Sequence, residues 1–313
     1  MRLLVSRRLT PRIEALLRAE FDAEFRSQDA PMTLTEAQAA LAHYDALLPT
    51  LGDAFPAAAF AGPMRCKLLA NFGVGTNHID VAAARAAGVA VTNTPGAVTD
   101  ATADIAMMLL LMSGRRASEG EAMLRAGRWT GWAPRQMLGA HVSGKTIGIV
   151  GLGRIGLAVA RRAHFGFGMR VLYTARSPKA PGFEATALPL PELLAEADFT
   201  VLCVPASAET RHLIGAAELA RMKPTAQLVN VARGDVVDEA ALIAALTSRQ
   251  IAGAGLDVYE REPFVPEALR ALPNVTLLPH LGTATEEVRD AMGLMAVENL
   301  RAFRNGKPLP NPV

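Results

Sequence analysis

Cysteine is nearly absent from this chain of 313 residues, which has only Cys66 and Cys203. Both lie in apolar runs, which points to buried, reduced thiols and excludes a disulfide framework. Cysteine and histidine nowhere fall at metal-binding spacings, so no metal is expected. A long hydrophobic run is missing too. The longest purely apolar stretch, Ile105 to Met112, is far short of the ~20 residues that a membrane helix needs. The opening Met1 to Arg8 has too short an apolar part for a secretory signal and reads as a first strand. An excess of one charge is lacking as well: 32 Lys and Arg face 30 Asp and Glu, a formal net charge of +2. That is too small and too dispersed to argue for nucleic acid or a membrane surface. The expected location is the cytoplasm.

Half the residues are apolar and a fifth charged, and the length allows two domains with a large core. Short apolar runs alternate with alanine-rich helical segments, the pattern of a parallel sheet flanked by helices. In the first third the strand candidates are Leu3 to Val5, Ala46 to Leu48, Lys67 to Ala70 and Val89 to Val91. Helices are expected over Pro11 to Glu20, Thr35 to Leu41 and Asp80 to Ala87, the last closed by Gly88. A long apolar helix follows, Ala101 to Arg115, with Asp100 or Thr99 as N-cap. A second series supplies six strands: Thr146 to Val150, Arg170 to Tyr173, Phe199 to Val204, Gln227 to Val231, Gly253 to Val258 and Val275 to Leu278. Trp129 to Ser143 is loop-like and joins the two parts, and a last helix runs from Glu286 to Phe303.

Three polar residues end three consecutive strands of the second series: Arg233, Glu262 and His280. In a parallel sheet such ends line one edge, where ligands bind in open α/β folds. A guanidinium can clamp a carboxylate bidentately, and a carboxylate-supported imidazole can trade a proton near neutral pH. The trio suits an acidic substrate undergoing proton-coupled chemistry. Glu260 competes with Glu262 as the partner of His280. Bland readings also exist: a satisfied strand-end histidine for His280, and a surface arginine at a helix start for Arg233.

Upstream, Gly151-Leu152-Gly153-Arg154-Ile155-Gly156 is a G-x-G-x-x-G turn with a strand before it and a helical pattern after it. Gly151 permits the turn, Gly153 lets the backbone approach a pyrophosphate, and Gly156 allows close helix–strand packing. The helix N-terminus offers free N–H groups to the phosphates. In the first part, Asn71-Phe72-Gly73-Val74-Gly75 follows a strand. Its two glycines around Val74 expose amides that suit a carboxylate, although an ordinary turn is the plainer reading.

These motifs, in this order over about residues 67 to 300 and with Asp257 and the Pro279-His280-Leu281-Gly282 segment, resemble the D-isomer-specific 2-hydroxyacid dehydrogenases. Within that family the chain looks most like the NADPH-dependent glyoxylate/hydroxypyruvate reductases. The resemblance implies an α/β fold of two Rossmann-like or flavodoxin-like domains with a cleft between them. The substrate domain, residues 1–98 and 284–313, is then discontinuous, and residues 99–283 form the dinucleotide-binding domain. The implied enzyme is an NAD(P)-dependent D-2-hydroxyacid dehydrogenase reducing short 2-oxo acids by hydride transfer.

In that scheme His280 donates the proton, with Glu262, the carboxylate directly before proline, favouring its imidazolium. Arg233 holds the substrate carboxylate and carbonyl. The substrate also meets Phe72, Gly73, Val74 and Gly75, with the Val74 and Gly75 amides on its carboxylate. Cofactor contacts are implied for Val74, Thr102, Ala175, Arg176, Ser177, Thr210, Val231, Ala232, Arg233, His280 and Gly282, besides the glycine turn. Asp257 takes the nicotinamide carboxamide, and Cys203-Val204-Pro205 forms the loop on which adenine packs. Trp132 either packs between domains or reaches a neighbouring subunit's site, with Met137 beside it. The second alternative implies a homodimer.

NAD-specific sheets carry an acid about 20 residues past the glycine turn, on the ribose 2′-hydroxyl. Here Ala175 occupies that position, no acid occurs between Gly156 and Phe183, and Arg176, Ser177 and Lys179 gather instead. A 2′-phosphate fits that set, so NADPH is expected over NADH, which stays possible. A solvated basic loop is the plainer reading. Phosphoglycerate dehydrogenase is the alternative enzyme, disfavoured because no regulatory extension follows the last helix. Formate dehydrogenase is disfavoured by the acid histidine. A dinucleotide-sensing corepressor is the alternative outside catalysis.

Overall fold

The computed structural model describes all 313 residues, which fall into two compact units: Met1–Val98 with Thr283–Val313, and Thr99–Gly282. Thr283 thus falls in the first unit rather than the second.

The first unit contains β1 (Arg2–Val5), α1 (Pro11–Glu20), β2 (Asp22–Phe25), α2 (Leu34–His43), β3 (Ala46–Leu48), β4 (Leu68–Ala70), α3 (Val81–Ala86) and β5 (Ala90–Thr92). Its sheet is parallel in the order β2-β1-β3-β4-β5. β1, β3 and β4 are runs of Leu, Val and Ala buried on both faces, as a helix-covered parallel sheet requires. The edge strand β2 has no apolar run to announce it, since its residues are half-buried or exposed. Local chemistry starts the helices. Thr33 and Glu36 form a reciprocal capping box on α2, and Asp80 caps α3 through the Ala83 amide at 2.8 Å.

The second unit opens with α4 (Thr99–Gly114) and α5 (Ala117–Arg125). Thr99 and Asp100, expected as alternative caps, lie inside α4. α5 carries no buried residue and so lacks the apolar stripe that marks a helix in sequence. There follow β6 (Thr146–Val150), α6 (Arg154–Phe167), β7 (Arg170–Thr174), β8 (Thr186–Ala187), α7 (Leu190–Glu196), β9 (Phe199–Leu202) and α8 (Ala216–Leu219). The unit ends with β10 (Gln227–Asn230), α9 (Glu239–Thr247), β11 (Gly253–Leu256), α10 (Glu267–Arg270) and β12 (Val275–Leu277). The sheet has seven parallel strands, not six, in the order β12-β11-β10-β9-β6-β7-β8. The additional edge strand β8 is two exposed residues long, too short for a period-two signal. From β6 the chain winds outward through β7 and β8, then returns to start the other half at β9. The β6–β9 boundary is therefore a topological switch point.

After Gly282 the chain re-enters the first unit and forms α11 (Glu286–Arg304), capped by Thr285 through the Val288 amide at 3.3 Å. α11 packs on α1 and β4. The last residues pair beside β5, with the Val313 amide donating to Val91 at 3.0 Å. Both cysteines are free thiols, and burial pushes each up to about 12. No helix is long and apolar enough to cross a membrane.

Candidate active site

Within the second unit the glycine turn leaves β6 at the switch point. Gly151 has φ +97°, and a Cβ there would lie 2.8 Å from Val204 Cγ1. Gly156 is closed just as firmly: a Cβ would lie 2.1 Å from the Gly151 carbonyl. Gly153, between them, has nothing within 4 Å on its open side. Two glycines thus hold helix and strand together while the third presents bare backbone outward. Gly153 is also the N-cap of α6 and brings no side chain to the first-turn amides. That cradle fits a dinucleotide pyrophosphate, because first-turn N–H groups have no helical partner and a positive end points outward.

Past β7, Ala175 is half-buried, while Arg176, Ser177 and Lys179 are exposed. Beyond β9, the Cys203-Val204-Pro205 segment is tied down by Thr210. Its hydroxyl donates to Pro205 O at 2.7 Å and accepts the Ser207 amide at 2.8 Å. Thr210 therefore shapes this loop from within.

β10, β11 and β12 are neighbours, and Arg233, Glu262 and His280 follow their C-terminal ends. Buried Asn230 brackets the first of these loops. Its Oδ1 accepts the Ala232 amide at 3.0 Å, and its Nδ2 donates to Arg233 O at 2.9 Å. Gly234 then lies flat on the next loop: a Cβ would be 1.8 Å from the Tyr259 carbonyl carbon. The Arg233 guanidinium donates to Ala232 O at 2.7 Å. Burial lowers its pKa, opposed by the charges of Glu262 and Asp235.

Glu262 Oε1 accepts the Tyr259 amide at 3.0 Å, and Oε2 lies 2.8 Å from His280 Nδ1. Burial is the largest single influence on this carboxyl and raises its pKa. The hydrogen bond and charge of His280, the Tyr259 amide and Arg233 outweigh it, so Glu262 sits below the usual carboxylate range. Glu260 turns elsewhere: its Oε1 lies 3.0 Å from His212 Nε2 and 3.5 Å from Arg211.

His280 has φ +55°, a left-handed conformation costly for a side chain of this size. Asp257 holds it there. The Asp257 backbone carbonyl accepts the His280 amide at 3.0 Å, Oδ1 accepts Leu281 at 2.6 Å and Oδ2 accepts Gly282 at 2.8 Å. Burial pushes the Asp257 carboxyl up, against those amides and the charge of His280. Thr102 completes the turn by donating to Gly282 O at 3.1 Å. Asn230, Gly234 and the clasp made by Asp257 and Thr102 were not legible as positioning groups. Asn230 offers only the faint signal of an amide side chain inside an apolar strand.

In the first unit, buried Asn71 folds the loop after β4 over itself, its Nδ2 donating to Gly73 O at 3.1 Å and Gly75 O at 3.0 Å. Thr94 N also donates to Gly73 O at 3.0 Å, and Asn93 Nδ2 donates to Val74 O at 2.9 Å. All three carbonyls are pinned inward, whereas the Val74 and Gly75 amides donate to nothing in the chain. Phe72 is buried and Val74 is 37 % exposed. On the second unit, Trp132 is 81 % exposed, with Leu124, Trp129 and Leu138 also exposed nearby in sequence.

A switch-point glycine turn and an imidazole–carboxylate pair beside an arginine describe an oxidoreductase dependent on a nicotinamide dinucleotide. The model of the D-isomer specific 2-hydroxyacid dehydrogenase NAD-binding domain matches residues 107–282. The glyoxylate reductase of Thermococcus onnurineus is 44 % identical over 320 residues, covering 100 % of this chain and 95 % of that enzyme. A solved structure from Thermus thermophilus is 42 % identical, with a TM-score of 0.92 over 100 % of both chains. The NADPH-dependent glyoxylate/hydroxypyruvate reductase of Sinorhizobium meliloti, solved with NADP and malonate, is 37 % identical with a TM-score of 0.89. That match covers 100 % of this chain and 96 % of that one. This chain belongs to the D-isomer specific 2-hydroxyacid dehydrogenase family.

Proposed function

We propose that this enzyme reduces glyoxylate and hydroxypyruvate to their 2-hydroxy acids, of D configuration where the product is chiral, using NADPH. The observation that carries the reading is the His280–Glu262 pair, with Nδ1 on the carboxylate at 2.8 Å. That contact commits Nδ1 and leaves Nε2 as the proton-bearing atom for substrate. The bound cofactor supplies a hydride to the carbonyl carbon. As the carbonyl oxygen gains charge, His280 Nε2 delivers its proton to it, and Glu262 stabilises the imidazolium that must be present beforehand. Arg233 clamps the substrate carboxylate and orients the carbonyl, which lowers the barrier by fixing a near-attack geometry. In the first unit the Val74 and Gly75 amides, which donate to nothing in the chain, suit a carboxylate. Asp257 receives the nicotinamide carboxamide while keeping the His280 turn in place.

NADPH is favoured by the missing acid at Ala175 and by Arg176, Ser177 and Lys179 beyond β7. Support also comes from the NADPH-dependent Sinorhizobium relative. A homodimer is favoured by the exposed apolar side chains of Leu124, Trp129, Trp132 and Leu138, which a second copy would cover. Trp132 then reaches a second copy. The test is initial-rate reduction of a panel of 2-oxo acids with NADPH and NADH separately, with mass by light scattering. Highest kcat/KM for glyoxylate or hydroxypyruvate with NADPH, from a dimer, is expected. Preference for NADH would refute the cofactor assignment, and a monomer would remove the intersubunit role of Trp132.

A further inference from the structure

The basic segment between β7 and β8 has little of its own to hold it. Arg176, Ser177, Pro178, Lys179 and Ala180 are all exposed, and Tyr173 Oη reaches Lys179 O at a long 3.4 Å. β8, which receives the chain, is two exposed residues paired with Leu172 and Tyr173. Exposed backbone with few buried contacts opens at small cost. The anchor is Phe183. Its half-buried ring packs on the core that α6 and β7 share and stacks on His164, with centroids 4.9 Å apart and planes at 26°. Phe165 stands edge-on to both rings, 5.6 Å from Phe183 and 4.6 Å from His164, and the Arg161 guanidinium lies 5.6 Å from its centre. Phe165 is 64 % exposed, so it fills no core and spends its ring on these aromatic neighbours. His164 lies in the last turn of α6, the helix whose first turn makes the glycine cradle. One helix therefore carries the cradle at its start and the anchor of the basic segment at its end. The segment also faces the loop after β9. Glu209 there is held below the usual carboxylate range by hydrogen bonds from Ser207 and its own amide, and further by the charge of Arg176.

We propose that Phe183, stacked on His164, is a positioning residue for cofactor selection, holding Arg176, Ser177 and Lys179 where they take the 2′-phosphate of an adenosine ribose. The role rests on the NADPH reading above. A dianion bound by side chains on a loose segment must offset the ordering of each one, whereas a segment fixed beforehand keeps that free energy for binding. The 2′-hydroxyl of NADH offers those residues no charge, and its pyrophosphate meets the glycine cradle, which does not depend on Phe183. Loss of the anchor therefore weakens a ligand with a 2′-phosphate and spares one without it.

The experiment compares the whole wild-type protein with Phe183→Ala, with Phe183→Tyr, which keeps the ring, and with His164→Ala, which removes the stacked partner but leaves Phe183 on the core. Titrations followed by nicotinamide fluorescence give Kd for NADPH and NADH separately. Trypsin cleavage after Arg176 and Lys179 reports how firmly the segment is held. Phe183→Ala raises Kd for NADPH at least ~5-fold and Kd for NADH less than ~2-fold, and cleavage is at least ~5-fold faster. Phe183→Tyr keeps the wild-type values. His164→Ala moves both readouts in the direction of Phe183→Ala and carries the same comparison if that variant fails to fold. Equal weakening of the two cofactors, or affinities and cleavage that do not change, overturns the assignment and makes Phe183 a packing residue alone. Wild-type protein that binds NADH as tightly as NADPH would sink the NADPH reading and the selective role with it, while faster cleavage of Phe183→Ala would still uphold the anchor.

Discussion

Asp257→Asn tests how the catalytic turn is held. In the native protein both carboxylate oxygens accept backbone amides, Leu281 at 2.6 Å and Gly282 at 2.8 Å. Asparagine preserves the shape but turns one acceptor into a donor, which then faces an N–H. One charge-assisted hydrogen bond is lost, worth about 1.5–3 kcal/mol, and a buried donor is left unmet at about 1–3 kcal/mol. Against this, burial disfavours the native charge, so the neutral amide recovers part of that cost. The net loss of stability is about 2–3 kcal/mol. The functional consequence is larger than the change of one contact, because His280 is held at φ +55° by this clasp. Leaving the left-handed region relieves about 1–2 kcal/mol per residue, so a loosened turn relaxes and takes the imidazole away from Glu262. We expect kcat for 2-oxo acid reduction to fall ~10–100-fold, or about 1.4–2.7 kcal/mol in barrier height. The assays are urea denaturation followed by circular dichroism and steady-state kinetics with each substrate varied. A variant with native stability and kcat, raised only in KM for cofactor, would falsify the clasp and leave Asp257 a carboxamide ligand alone.

Three further outcomes follow from the same geometry. Arg233→Ala lowers kcat/KM for glyoxylate at least ~100-fold through loss of the charge-assisted clamp, and near-native turnover by the folded variant would count against it. Glu262→Gln lowers kcat for 2-oxo acid reduction at least ~10-fold because the imidazole loses the anionic partner that its Nδ1 meets at 2.8 Å, and an unchanged kcat would remove Glu262 from the mechanism. The Glu262 carboxyl itself is held below its ordinary range, so its negative charge, and the stability that charge contributes, is present above that range and is lost only as pH falls through the lowered value. Arg176→Ala raises KM for NADPH at least ~10-fold, about 1.4 kcal/mol, and changes that for NADH little; equal effects on both would detach Arg176 from the 2′-phosphate.

What the sequence determined by itself is what chain neighbours encode. The apolar runs of β1, β3, β4 and β9 and the glycine turn after β6 are all local signals. So are the strand-end positions of Arg233, Glu262 and His280, since strand and loop follow one another along the chain. Elements with little to bury escaped notice: half-exposed β2, two-residue β8, and α5 with no buried residue. Only the tertiary structure decided between Glu260 and Glu262, because their side chains diverge from one loop towards His212 and His280, residues 48 and 18 positions away. The same holds for Gly234 against Tyr259 and for the Asp257 clasp on the His280 turn. Each joins groups far apart in sequence, and such contacts are set by strand order and packing, which residue types and spacings along the chain do not contain.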